Sequence, residues 1–197
     1  KYYVDMVPSL TKVVSPMIAM GRFIKKNFGN DTKVVFIGPC IAKKSEAYDF
    51  EVKDAIDTVL TFKELKELFT ELDIDLDQLK DSDLDQPHAY MGKVYPLTGG
   101  LLKTTEVHGD ILEKEIIVVE GKSHVGEILH EIADKKIKAK FIDILFCEGC
   151  ISGPGMDSNL NFYSRREKVI NYINRNINSF DKREWKSNLY NNRDINL

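Results

Sequence analysis

The apolar positions of the chain fall into short solid runs separated by amphipathic stretches. The stretch SPMIAMGRFIKKNFG, residues 15–29, carries Met17, Met20, Gly21, Ile24 and Phe28 at helical spacing. Ser15 suits the N-cap, Pro16 the first helical position and Gly29 the stop. The run KVVFIGP, 33–39, reads as a buried strand ending in a turn, and 41–52 as a loop with a helical turn. A short strand follows at 58–61. Thr61 then caps FKELKELFTEL, whose Phe62, Leu65, Leu68, Phe69 and Leu72 repeat at threes and fours. Two further strands are expected at 114–121 and 141–149. Helices are expected over 125–137 and 160–179, with another possible after Gly99-Gly100.

Strands alternating with helices predict an α/β fold, parallel sheet flanked by helices. Residues 1–14 read as an extended approach. The Asn-rich end, 186–197, reads as a mobile tail or a terminal docking segment. The expected organisation is one domain over 1–180 followed by a tail, 181–197. Because the first residue is Lys1, the chain is expected to be a piece of something longer.

Composition narrows the function classes. The 197 residues are 43% hydrophobic and 30% charged, with a net charge of −3. That charge gives no electrostatic reason to expect nucleic acid or an anionic membrane as partner. No apolar run approaches the roughly 18 residues of a membrane span, and no secretory signal opens the chain. Three cysteines cannot all pair with one another, which points to a reducing, cytoplasmic setting. The acidic stretch 73–87 fails as a calcium loop. Counted from Asp73, Gln78 and Leu84 stand where such a loop needs Gly and Glu.

The candidate chemistry lies where strands end. In parallel α/β sheets, ligands sit outside the carboxyl ends of the strands. VVFIGPCIAKKSEA places Cys40 just past one strand, and DILFCEGC places Cys147 and Cys150 just past another. On a common rim, three thiols from distant sequence would converge. Thiolates need a counter-charge, which zinc or an iron–sulfur cluster supplies, with Lys43 or Lys44 adding more. Both metal groups ordinarily take four ligands. The fourth would be His88, His108, His124 or His130, a non-protein ligand, or a cysteine beyond residue 1, and each histidine reads better as solvated or structural. A redox dithiol is the competing reading. It is weakened by ISGPG after Cys150, a poor helix start, and it leaves Cys40 unexplained. Small core filling is the third reading.

These motifs resemble those of the iron-only ([FeFe]) hydrogenase large-subunit catalytic domain. GPCIAKKSEA is similar to that family's second signature and FCEGCISGPGM to its third. VVSPMIAMGRFI, VLTFKEL and PLTGGLL match intervening landmarks in order, so the resemblance covers about residues 10–172. It implies two lobes of parallel sheet around a deep metallocluster, the H-cluster, in which a four-iron cubane joins a two-iron subsite. By motif position, Cys40, Cys147 and Cys150 are cluster ligands, with Cys150 bridging. Lys43 matches the lysine that pairs with a cyanide of the two-iron unit, and Glu46 an acidic residue of the proton-path region. Ser15 and Pro16 match residues beside the two-iron unit, and Pro39 belongs to the Cys40 signature. The implied setting is cytoplasmic and anaerobic, with a ferredoxin-type electron donor.

Departures from the family pattern mark a sensor-like branch. Two residues separate Cys147 from Cys150 where the family has three. Gly38 stands where catalytic members have Met, Met17 where they have Gln, and Leu145-Phe146 where they have Met-Ala. The first signature, with the fourth ligand, would lie upstream of Lys1, so the cluster is expected to be absent or incomplete on this piece. The reading is hydrogen or redox sensing with low or no turnover, coupled to a downstream signalling module. An active ferredoxin-linked [FeFe] hydrogenase, a cluster-carrier or assembly protein and a zinc-stabilised interaction domain are the alternatives.

Overall fold

The structure is a computed structural model and describes residues 3–105, 116–177 and 179–193. The chain divides into two compact units, treated separately below as lobes. The first lobe comprises Val13–Ala89, Ser152–Asn161 and Asn178–Leu197, and the second Lys1–Lys12, Tyr90–Ile151 and Phe162–Ile177.

The first lobe opens with α1 (Pro16–Phe28). Ser15 has the extended backbone of an N-cap, Pro16 supplies the first turn, and Gly29 ends the helix at φ 104°. The buried face of α1 is Met17, Ile18 and Gly21, packed with Val34, Ala47, Ala55, Ile56 and Val59. Ile18 is completely buried, whereas Met20 and Phe28 from the expected stripe are exposed. Gly21 is there for room, since a Cβ would come within 2.4 Å of the Ala55 carbonyl oxygen. Arg22 fastens the same loop, with Nε and Nη2 on the Asp54 carboxylate and Nη2 also on the Glu51 carbonyl.

Strand β1 (Val35–Ile37) leads into the short α2 (Ala42–Glu46), and β2 (Thr58–Leu60) returns parallel to β1, with Val35 beside Thr58 and Ile37 beside Leu60. Helix α3 (Phe62–Glu71) begins with a full capping box. The Thr61 hydroxyl accepts from the Glu64 amide, and the Glu64 carboxylate accepts from the Thr61 amide. The apolar stripe of α3 is only half covered, and none of its residues is buried. The acidic stretch after it is loop with one 3-10 turn, Leu76–Gln78.

The second lobe repeats the strand–helix–strand unit. A 3-10 turn, Tyr90–Val94, precedes α4 (Gly100–Thr105). A Cβ on Gly100 would lie 2.1 Å from the Val94 carbonyl oxygen. Gly100 thus serves close backbone packing, while Gly99, with nothing within 4 Å of its Cβ position, turns the chain at φ 69°. Strand β3 (Ile116–Glu120), α5 (Lys122–Ala133) and β4 (Phe141–Leu145) follow, the strands parallel with Ile116 beside Phe141 and Glu120 beside Leu145. Helix α5 starts earlier than expected because Gly121, at φ 85°, caps it. Helix α6 (Phe162–Asn176) completes the lobe, whose buried residues include Leu102, Val125, Ile128, Ile151 and Ile173.

Two observations correct the sequence reading. Among the described residues the strands form two separate two-stranded sheets, so no single sheet there offers one rim for all three thiols. Residues 179–191 form a helix, α7 (Ser179–Asn191), where the sequence reading had a tail. Among the described residues no helix is long and apolar enough to cross a membrane.

Candidate metal centre

Each cysteine-bearing loop leaves the carboxyl end of a parallel strand. Past β1, the Gly38 amide still donates to the Leu60 carbonyl at 3.0 Å, which carries the ladder one residue beyond Ile37. The Pro39 carbonyl then accepts from the Gly155 amide at 2.9 Å. Cys40 follows, half-buried, and its carbonyl accepts from the Lys43 amide as α2 begins. Lys43 and Glu46, both expected site residues, meet each other: their side chains form a half-buried ion pair at 2.5 Å, one turn apart on α2. Ser15 sits at the head of α1, and its hydroxyl oxygen is buried without a hydrogen-bond partner. Pro16 is the first residue of that helix.

A network not anticipated from sequence braces this loop. Lys44 donates to Glu64 at 2.5 Å, and Glu64 in turn holds the Thr61 amide and hydroxyl. The Lys44 ammonium and the Thr61 donors hold the Glu64 carboxyl down at about 2. Buried Thr61 packs against Gly155, and Lys66 pairs with Asp157, so the 152–161 segment is pinned at both ends of a short run. The capping box was legible as T-x-x-E at 61–64. Nothing in sequence marked Gly155 as its packing partner.

In the second lobe the loop after β4 is tied to the loop after β3. The Gly121 amide donates to the Leu145 carbonyl at 3.0 Å and to the Cys147 carbonyl at 3.3 Å. Cys147 is exposed, buried Gly149 turns the chain at φ 87°, and half-buried Cys150 opens a 3-10 turn, Cys150–Ser152, anchored by Ile151. A left-handed glycine between the two cysteines is what lets them share one tight loop. No disulfide joins any of the three cysteines.

Among the described residues, no three His, Cys, Asp or Glu side chains are grouped as a metal-holding set. Of the histidines, His88 uses both ring nitrogens, His124 faces the Glu120 carbonyl, and His130 stacks edge-on with Tyr3. His108 lies outside the described residues. The donor chemistry still suits an iron–sulfur group in part. It comprises three soft thiols at strand ends, a lysine held near one of them in sequence and an orphaned buried hydroxyl at Ser15.

The sequence model of the family described as iron only hydrogenase large subunit, C-terminal domain, matches residues 1–154. The chain belongs to that family. Iron hydrogenase 1 of Clostridium pasteurianum is 24% identical to this hydrogenase-family domain over 199 residues, which is 78% of this chain and 35% of that protein. A solved [FeFe]-hydrogenase, HydA(deltaEFG), described for stepwise H-cluster assembly, superposes with a TM-score of 0.64 at 18% identity. A variant of HydA1 from Chlamydomonas reinhardtii superposes at 0.62 with 19% identity. Each match covers 86% of this chain and 62% of the other. At those identities the likeness establishes the fold, with parallel sheets flanked by helices as the sequence implied. The domain spans about a third of the curated relative and under two thirds of the solved chains.

Proposed function

We propose that this hydrogenase-family domain holds an iron–sulfur unit of the H-cluster type through Cys40, Cys147 and Cys150, and that it senses hydrogen or redox state with little or no turnover. The observation that carries the reading is a short tether. Five residues after Cys150, the Gly155 amide is bonded to the Pro39 carbonyl, and the next residue is Cys40. Both cysteine-bearing loops start at the carboxyl ends of parallel strands, the usual ligand side of such sheets.

When bound, such a cluster supplies electron transfer and, with its two-iron part, chemistry on hydrogen. The residues of the chain have separate tasks. Cys40, Cys147 and Cys150 would present thiolates, and His88 is not available as a fourth ligand, since both of its ring nitrogens are engaged. Lys43 places a positive charge three residues from Cys40, available for charge-assisted hydrogen bonds to an anionic ligand. Glu46 orients that ammonium. The Ser15 hydroxyl is a desolvated donor without a protein acceptor. Pro39 and Pro16 fix φ beside the thiol and at the helix start.

The sensor assignment rests on residues. Gly38 and Met17 replace the family's Met and Gln, Leu145-Phe146 its Met-Ala, and the Cys147–Cys150 loop is one residue shorter. A smaller side chain at 38 removes packing from the metal side. A cytoplasmic location, a ferredoxin-type donor and a downstream signalling module complete the proposal.

Iron, zinc and sulfide analysis of anaerobically purified protein tests the metal. Iron with sulfide supports the reading, and zinc alone overturns it. Infrared bands of cyanide and carbonyl ligands report the two-iron part. A hydrogen-evolution assay then separates the roles, with turnover at the level of catalytic relatives contradicting a sensor.

A further inference from the structure

Cys40 is bracketed by contacts that all return to the start of α3. On its N-terminal side, the Gly38 amide donates to the Leu60 carbonyl at 3.0 Å, and the Pro39 carbonyl accepts from the Gly155 amide at 2.9 Å. Gly155 in turn lies against the Thr61 side chain. On its C-terminal side, the Lys43 and Lys44 amides donate to the Cys40 and Ile41 carbonyls, which starts α2. The Lys44 ammonium then reaches Glu64 Oε1 at 2.5 Å. Glu64 Oε2 accepts from the Thr61 amide and from the Thr61 hydroxyl, both at 2.8 Å. These contacts close a ring that runs from Pro39 through Gly155, Thr61, Glu64 and Lys44 back to Cys40.

Two adjacent lysines have different tasks in it. Lys43 stays on α2, paired with Glu46. Among the described residues, Lys44 is the one α2 side chain hydrogen-bonded outside that helix. Ala47, in the core, fixes the far end of the segment, so Lys44 holds the turn beside the thiol. The Lys44 and Glu64 side chains are 39% and 40% exposed, and a pair so exposed adds little to global stability. Its consequence is local. Both carboxylate oxygens of Glu64 are engaged, one by α2 and one by the cap of α3, so Glu64 sets the distance between the two helix starts.

We propose that Lys44 and Glu64 are positioning residues for Cys40. They fix the angle at which α2 leaves β1, and with it the place of the thiol. The inference rests on the proposed cluster for its purpose and on the ring for its geometry.

The test uses the full chain. In reduced, metal-free protein, mass spectrometry reads the rate of iodoacetamide alkylation at each cysteine. Half-buried Cys150, in the other lobe, is the internal reference, because a general loosening would raise both rates. Lys44→Met should raise the Cys40 rate by about two- to fivefold over Cys150, the range set by one exposed ion pair. Lys44→Arg keeps the charge and the donors and should restore the wild-type rate. Glu64→Gln opens the ring from the other side, since its NH2 group would face a donor, and should match Lys44→Met. After iron and sulfide loading, Lys44→Met should also shift the EPR spectrum, and Lys44→Arg should not. If wild type takes up no iron, the cluster reading fails, and the alkylation rates still decide the positioning. A Cys40 rate in Lys44→Met equal to wild type, a rise in step with Cys150, or an unshifted spectrum in the loaded variant overturns the proposal.

Discussion

Adding one methyl group at Gly155 tests the loop that connects the two cysteine-bearing segments. A Cβ there would lie 2.7 Å from Thr61 Cγ2, 2.8 Å from the Pro39 carbonyl oxygen and 2.8 Å from Thr61 Cβ. Favourable carbon contacts lie near 3.5–4.0 Å, so each of these is repulsive. Neither neighbour yields cheaply. Pro39 O is backbone, and buried Thr61 is fixed by its bonds to Glu64. Overpacking of this kind costs roughly 1–3 kcal/mol. If the loop retreats, the Gly155–Pro39 hydrogen bond goes as well, for about 1 kcal/mol more. Gly155→Ala should therefore lose about 2–4 kcal/mol. With a urea m-value of about 2 kcal/mol/M, the unfolding midpoint should drop by roughly 1–2 M. Thr61→Ser in the same background removes Cγ2 and should recover part of the loss. A Gly155→Ala midpoint within about 0.2 M of wild type would show that the loop does not seat against Thr61.

Other substitutions separate the remaining claims. Gly126→Ala, within α5 and with nothing within 4 Å of its Cβ position, should stabilise by about 0.5–1 kcal/mol, read as a raised midpoint. Glu64, held at about 2 against an ordinary 4.5, contributes stability that is present above pH 4.5 and lost as pH falls toward 2. Glu64→Gln should flatten that part of the stability–pH curve in acid unfolding titrations. Asp143 is buried in β4, and burial alone pushes its carboxyl up from 3.8. Its folded form keeps the proton longer, so it opposes folding above pH 3.8. Asp143→Asn should gain stability at pH 7 and little at pH 3 in paired urea titrations.

The sequence displayed element type well and burial less well. Ser15-Pro16, Thr61 with Glu64, and Gly29 are local signals, and each is a helix end in the structure. The strand pairs were legible as apolar runs, but sheet membership was not, because pairing β1 with β2 and β3 with β4 depends on long-range packing. Met20 and Phe28 share helical spacing with Met17, yet both are exposed, and Ile18, off that stripe, is the residue that is completely buried. Helix α7 was hidden by its polar composition, and its hold on the molecule includes one pair 96 residues apart, His88 with Glu184. Among the candidate site residues, the Cys40, Cys147 and Cys150 positions past strand ends were legible, as was Lys43 on the turn after Cys40. The Lys43–Glu46 pairing was open to sequence as an i,i+3 contact. The role of Gly155 was not, since it depends on a carbonyl more than a hundred residues earlier.

The central claim is that one inorganic unit is shared by thiols from both loops. The most direct measurement is iron and sulfide content with low-temperature EPR after anaerobic reconstitution, comparing wild type with Cys40→Ala and with Cys147→Ala. The account predicts a cubane signal in wild type that is lost or altered in both variants. A Cys40→Ala protein with wild-type iron content and an unchanged spectrum would contradict it.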